Sequence, residues 1–266
     1  SFGYQSLDAN TTADNNTAIG SRTLSANTTG ADNTALGKAA LEANTTGANN
    51  VAVGKSALDV NTTGATNVAM GKNALGANTT ASNNTALGGS SMETNTTGHS
   101  NVAVGTNSLQ ANTTANNNTA VGYAALNANT TGTQNVSIGP TSMLFNTTGG
   151  YNVAMGMQAL NTNTTGDNNV AIGMNALLYN TTADDNIAVT GTLPKKLAAN
   201  NQTDIFTSCL STVTFKGQHI DYATLPEEDK VAMTNKLPSF IFSDILKYMV
   251  EQEEIVSAEP IIKIAD

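Results

Sequence analysis

The chain has 266 residues, a net charge of −9 and only 12% charged side chains. Eleven Lys and Arg against twenty Asp and Glu exclude a phosphate-neutralising nucleic-acid binder and an anionic membrane surface as partner. The single cysteine, Cys209, excludes a disulfide framework and a Cys-based zinc site, two histidines (His99, His219) leave no His-rich metal centre, and no cofactor is expected.

In chain order, Ser1 already stands inside a repeat. No initiator Met or secretory leader precedes it, which reads as a processed chain or fragment with further repeats upstream. Gly then recurs at positions 3, 20, 37, 54, 71, 88, 105, 122, 139, 156 and 173, every interval being 17 residues. Asn-Thr-Thr triplets keep the same beat from Asn10 to Asn180, and a second Asn row (Asn16, Asn33, Asn50 and onward) precedes each Gly by four residues. Such a phase-locked period is the signature of a stacked repeat architecture. Apolar residues fall in two short clusters separated by Asn, Thr and Gly, a composition that disfavours helix interiors.

Alternation about a small residue, as in Val51-Ala52-Val53, predicts a short strand. Val51 and Val53 are expected to point into the core and the Ala row (Ala18, Ala35, Ala52, Ala69 and onward) away from it. Ala57-Leu58 predicts a second strand. The fold class is therefore mainly β: residues 1–190 form a parallel β-solenoid of about 11 coils, one per seventeen residues, with two short strands per coil. Each register position becomes a ladder along the stack. Gly20, Gly37, Gly54 and Gly71 turn corners; Leu24, Leu41 and Leu58 stack as core; Asn27, Asn44 and Asn61 pair amides and satisfy turn polar groups. A flat Ala row suits close packing against another chain, so a homotrimer about the rod axis is expected.

The stretch Asn50-Val51-Ala52-Val53-Gly54-Lys55-Ser56-Ala57 resembles the head repeats of trimeric autotransporter adhesins (YadA-like heads). Similar Gly- and Asn-rich repeats occur in viral and phage tail fibres. The resemblance covers residues 1–190, and the period is longer here, so the Asn-Thr-Thr-Gly corner is an enlarged loop. It implies a trimeric left-handed β-roll, located extracellularly on a virion or a cell-surface appendage. The expected function is structural: a rigid shaft that spaces or presents an attachment site, with a host surface glycan or protein as partner.

From Gly191 the period vanishes, and four of the five prolines lie beyond it. Residues 191–266 are expected to form a small α+β cap that covers the open end of the solenoid and sets trimer register. Residues 211–222 read as strand or hairpin. Thr224-Leu225-Pro226-Glu227 predicts a helix start, with that helix ending near Lys236 and a second one beginning at Ser239.

Catalytic residues are not expected. Asp204, Cys209 and His219 are the nearest thing to a nucleophile set, and nothing in their spacing forms a triad. The ladder Thr28, Thr45, Thr62, Thr79, Thr96 and Thr113 is a candidate contact surface. Two adjacent Thr columns on a flat solenoid give ice binding as an alternative. Each triplet is also an N-x-T acceptor sequence, so a densely N-glycosylated filament is another.

Overall fold

The computed structural model describes residues 1–189, together with Val213–Phe215 and Gln218–Ile220. The chain divides into two units, Ser1–Thr192 and Leu193–Asp266. In the first, one three-residue strand recurs per seventeen residues: β1 Thr17–Ile19, β2 Thr34–Leu36, β3 Val51–Val53, β4 Val68–Met70, β5 Thr85–Leu87, β6 Val102–Val104, β7 Thr119–Val121, β8 Val136–Ile138, β9 Val153–Met155 and β10 Val170–Ile172, closed by the two-residue β11 Ile187–Ala188. These eleven strands form one parallel sheet in sequential order. Each residue pairs with its equivalent one repeat on: Val51 with Val68, Ala52 with Ala69, Val53 with Met70. The fold is a parallel β-solenoid. Strand spacing of about 4.8 Å gives eleven coils a length of roughly 50 Å.

Two expectations about the coil need correcting. The Ala row does not face outward: Ala52, Ala69, Ala86 and Ala103 are fully buried inside the coil, whereas Val51 and Val53 are half-buried and point out. The reason is room. The coil interior is already filled by Leu58 and its equivalents, fully buried, and by the two Asn rows. Only a small side chain fits on the strand, and size is conserved there accordingly; an outward position accepts Thr, Val or Ile alike. Coil 8 supports this reading, since the one Ser in the Ala row, Ser137, is buried and bonds Ser142 of the same turn.

The second correction is that Ala57-Leu58 forms no strand. Ser56 and Leu58 both lie in the left-handed region, at φ 56° and 52°, and the same pair of positions repeats this in every coil. A left-handed Leu is rare because Cβ crowds the backbone. Here the turn aims Leu58 into the core, and its backbone N–H donates to Ala74 O of the next coil (3.0 Å). Burial and the inter-coil bond offset the strain. Leu75→Ala should accordingly cost about 3 kcal/mol by leaving a cavity in the column, measured by urea unfolding; a change under about 0.5 kcal/mol would contradict the assigned packing.

In the second unit, β12 (Val213–Phe215) pairs antiparallel with β13 (Gln218–Ile220), Thr214 opposite His219. The helices expected from Thr224 and from Ser239, and the residues Asp204 and Cys209, lie outside the described residues.

Candidate functional site

Three surfaces of the shaft follow from the coil geometry, one interior and two exterior. The interior one is a double amide ladder. Asn61 Nδ2 donates to Asn44 Oδ1 of the preceding coil (2.8 Å) and to Gly64 O of its own turn (2.9 Å). Its Oδ1 accepts from Asn78 Nδ2 (2.8 Å). In the second row, Asn67 takes both its backbone N–H (2.9 Å) and Nδ2 (3.1 Å) to Asn50 Oδ1. Asn50 Nδ2 also donates to Gly64 O (2.8 Å), so one corner carbonyl ties the two rows together. All these Asn are fully buried. Among the described residues, one buried side-chain polar atom, Asn175 Oδ1, has no partner, so the polar interior is otherwise satisfied, as folding requires. Residues Asn27, Asn44 and Asn61, and with them Leu24, Leu41 and Leu58, are held in the core and offer nothing to a ligand.

Gly20, Gly37, Gly54 and Gly71 stack at the end of the strand, with φ between 128° and 141°. A Cβ on Gly54 would lie 2.7 Å from the carbonyl carbon and oxygen of Gly71. Only glycine accepts both the dihedral and the approach of the neighbouring coil.

The first exterior surface is the Thr edge. The first Thr of each triplet is largely structural: Thr45 Oγ1 donates to Thr62 O and Thr62 Oγ1 to Thr79 O, both at 3.0 Å, and the bond repeats through Thr79, Thr96 and Thr113. Thr28 makes the same bond at the exposed start of the column (3.0 Å). The second Thr is the open one, with Thr46, Thr63, Thr80, Thr97 and Thr114 all exposed.

The second exterior surface is the outward face of the sheet, which was not anticipated from the sequence. It carries two columns, Val51, Val68, Thr85 and Val102 beside Val53, Met70, Leu87 and Val104, running the length of the eleven strands. Met70 is 45% exposed and Ile19, Leu36 and Ile172 are similar. Beyond the glycine corner, the next column changes character along the shaft. It holds Lys38, Lys55 and Lys72 in early coils, and exposed Tyr123, Met157 and Met174 in late ones. The alternation of Thr with Val at one register position was the available signal. A buried slot in this narrow coil would hold side-chain size constant, whereas a solvent-facing one accepts Thr and Val alike.

Charged groups are sparse. Arg22 Nη1 meets Glu42 Oε1 at 3.0 Å on the surface. Burial pushes the Asp59 carboxyl above the ordinary range, a Ser56 hydrogen bond opposing this and Glu42 adding to it. At Glu93 burial acts upward too, but hydrogen bonds from Gln110, Ser90 and Asn73 and the Lys72 charge together hold the carboxyl below its ordinary value. Among the described residues no group of three or more His, Cys, Asp or Glu is placed to hold a metal ion. None of their helices is long and apolar enough to cross a membrane.

Comparison of the chain with protein-family models, curated proteins and solved structures finds no match. Fold and repeat define its class: a tandem-repeat β-solenoid protein with a seventeen-residue coil.

Proposed function

We propose that this chain is a structural fibre or spike segment. It is a rigid extracellular shaft on a virion or cell-surface appendage that self-associates as a homotrimer and spaces or presents an attachment site. A host surface glycan or protein is the proposed contact, and no catalytic role is assigned. The observation that carries the reading is the outward sheet face: one apolar column (Ile19, Leu36, Val53, Met70, Leu87, Val104 and onward) beside a column in which Val exchanges with Thr, continuous along the sheet and partly open to water in a single chain. Contiguous exposed apolar surface of this kind marks an interface. Because the columns repeat coil by coil, a second copy laid parallel and in register meets like against like. Three such faces about one axis close a common core. The Ala row takes no part, being inside the coil.

Light scattering with electron microscopy should give an elongated trimer. In Leu87→Lys/Val121→Lys, two outward residues become cations, and the expected product is a monomer with an unchanged β-type circular dichroism spectrum. A monomeric wild type at micromolar concentration, or a double variant that remains trimeric, would refute the assembly.

Ice adsorption is a second reading, favoured by the exposed second-Thr column repeating at the coil spacing. It requires thermal hysteresis that Thr63→Tyr/Thr80→Tyr abolishes; absence of hysteresis in the wild type removes it.

A further inference from the structure

We infer that Asn83 and Asn117, with Asn15 as a third, are shaft asparagines able to carry an N-linked glycan, and that the interior Asn-Thr-Thr triplets, from Asn27 to Asn163, cannot carry one in the folded chain. Apart from Asn135-Val136-Ser137, the acceptor pattern N-x-S/T occurs in the shaft in two settings. One is the triplet. The other is Asn15-Asn16-Thr17, Asn83-Asn84-Thr85 and Asn117-Asn118-Thr119, where the acceptor Asn stands one position before the inner Asn row.

Glycan transfer from a lipid-linked diphosphate donor joins the sugar's anomeric carbon to Nδ2. It releases the lipid diphosphate and a proton and leaves Nδ2 with a single N–H. In the interior triplets this cannot coexist with the coil. Asn44 Nδ2 spends both protons, on Asn27 Oδ1 (2.8 Å) and Gly47 O (2.9 Å), and is fully buried. The same pair of bonds recurs at Asn78, Asn95, Asn112, Asn129, Asn146 and Asn163. A sugar at any of these would remove a ladder bond and require space where the interior has none. Asn135-Val136-Ser137 is closed off likewise, with Asn135 buried and Nδ2 on Gly149 O (2.8 Å). At the two ends of the shaft, Asn10 Nδ2 donates only to Ala13 O (3.0 Å) and Asn180 is only half-buried, so both fall outside this exclusion.

The other setting is open. Asn83 and Asn117 are exposed, in the left-handed conformation at φ 63° and 59°. Their backbone N–H groups are fixed to Ala65 O (3.1 Å) and His99 O (3.2 Å), while the side chains face solvent. Asn15 is exposed as well and gives one amide proton to Asp32 Oδ1 (3.0 Å). Asn83 and Asn117 occupy one register position two coils apart, roughly 10 Å, so two glycans would stand side by side along the shaft. Glycan occupancy and coil closure therefore exclude each other at the interior triplets and are compatible at Asn83 and Asn117. This assignment does not depend on self-association.

The test is secretion through a pathway that adds N-glycans, followed by isolation of the protease-resistant, cooperatively melting fraction. Enzymatic release in ¹⁸O-water then tags each former glycan site as labelled Asp for peptide mass spectrometry. The denatured chain, treated with the same transferase, is the control in which triplets accept glycan. Label at Asn83 and Asn117, absent from Asn44 through Asn163 at the triplet positions, is the expected result, and Asn83→Gln/Asn117→Gln should lose both glycans and remain folded. Label at the interior triplets in the folded fraction, or none at Asn83 and Asn117 while the denatured control is modified, would overturn the inference.

Discussion

Gly54→Ala should destabilise the shaft by about 3 to 5 kcal/mol in urea unfolding, the sum of backbone strain and overpacking. Two costs coincide. Gly54 holds φ 131°, a conformation L side chains rarely adopt, and its Cβ would approach the Gly71 backbone to 2.7 Å. Backbone atoms cannot step aside as a flexible side chain could, and shifting the Gly71 carbonyl disturbs the next coil's ladder. Gly89→Ala is the matched control: a Cβ there meets nothing within 4 Å, so its effect should stay within about 0.5 kcal/mol. Equal effects at the two positions would show that the glycine column is not the point of coil contact.

The second large effect belongs to the amide ladder. Asn61→Asp should cost about 3 kcal/mol or more at pH 7, where a buried carboxylate replaces a group that donates two hydrogen bonds. The replacement cannot donate to Asn44 Oδ1, although Gly64 O keeps its bond from Asn50. The pH dependence follows from sign. Burial raises the folded carboxyl above the unfolded value of about 3.9, so the folded state holds its proton longer than the unfolded state does. Stability then falls as pH rises above that unfolded value and is recovered on acidification towards it. Urea unfolding at pH 4 and pH 7 should show a clearly smaller penalty at the lower pH relative to wild type. A pH-independent penalty would mean that position 61 is not buried as described.

The period, the parallel stacking and the identity of the ladders were all readable in the sequence, because one unbroken interval places equivalent residues above one another whatever the local conformation. Which way each side chain points was harder. Val51 and Val53 look like core by hydropathy, yet the narrow coil reserves its interior for Leu58, Asn50, Asn61 and a small Ala52. The informative signal was size constancy at the Ala row against Thr/Val exchange at its neighbours. The left-handed turn at Ser56 and Leu58 had no local signal, since Leu ordinarily avoids that region and adopts it here only because packing and an inter-coil bond compensate. The exterior surfaces followed from that reversal: once Ala52 faces in, Val51 and Val53 must face out, which leaves an apolar stripe on the outer face of the sheet. The same parity argument separates Asn83 from Asn84, neighbours in sequence with one exposed and one buried.

The claim beneath all of this is that seventeen residues close one coil, and a pair of deletions measures it directly. Removing residues 60–76, one whole period, brings the inward and outward positions of the remaining coils back into register. Removing residues 60–75 leaves every downstream column one position out, so Leu, Ala and Asn no longer stack on their equivalents. Urea unfolding of the two chains should show a cooperative transition close to wild type for the full-period deletion and a severe loss of stability for the shorter one. Equal stability of the two, or collapse of the full-period deletion, would contradict the coil.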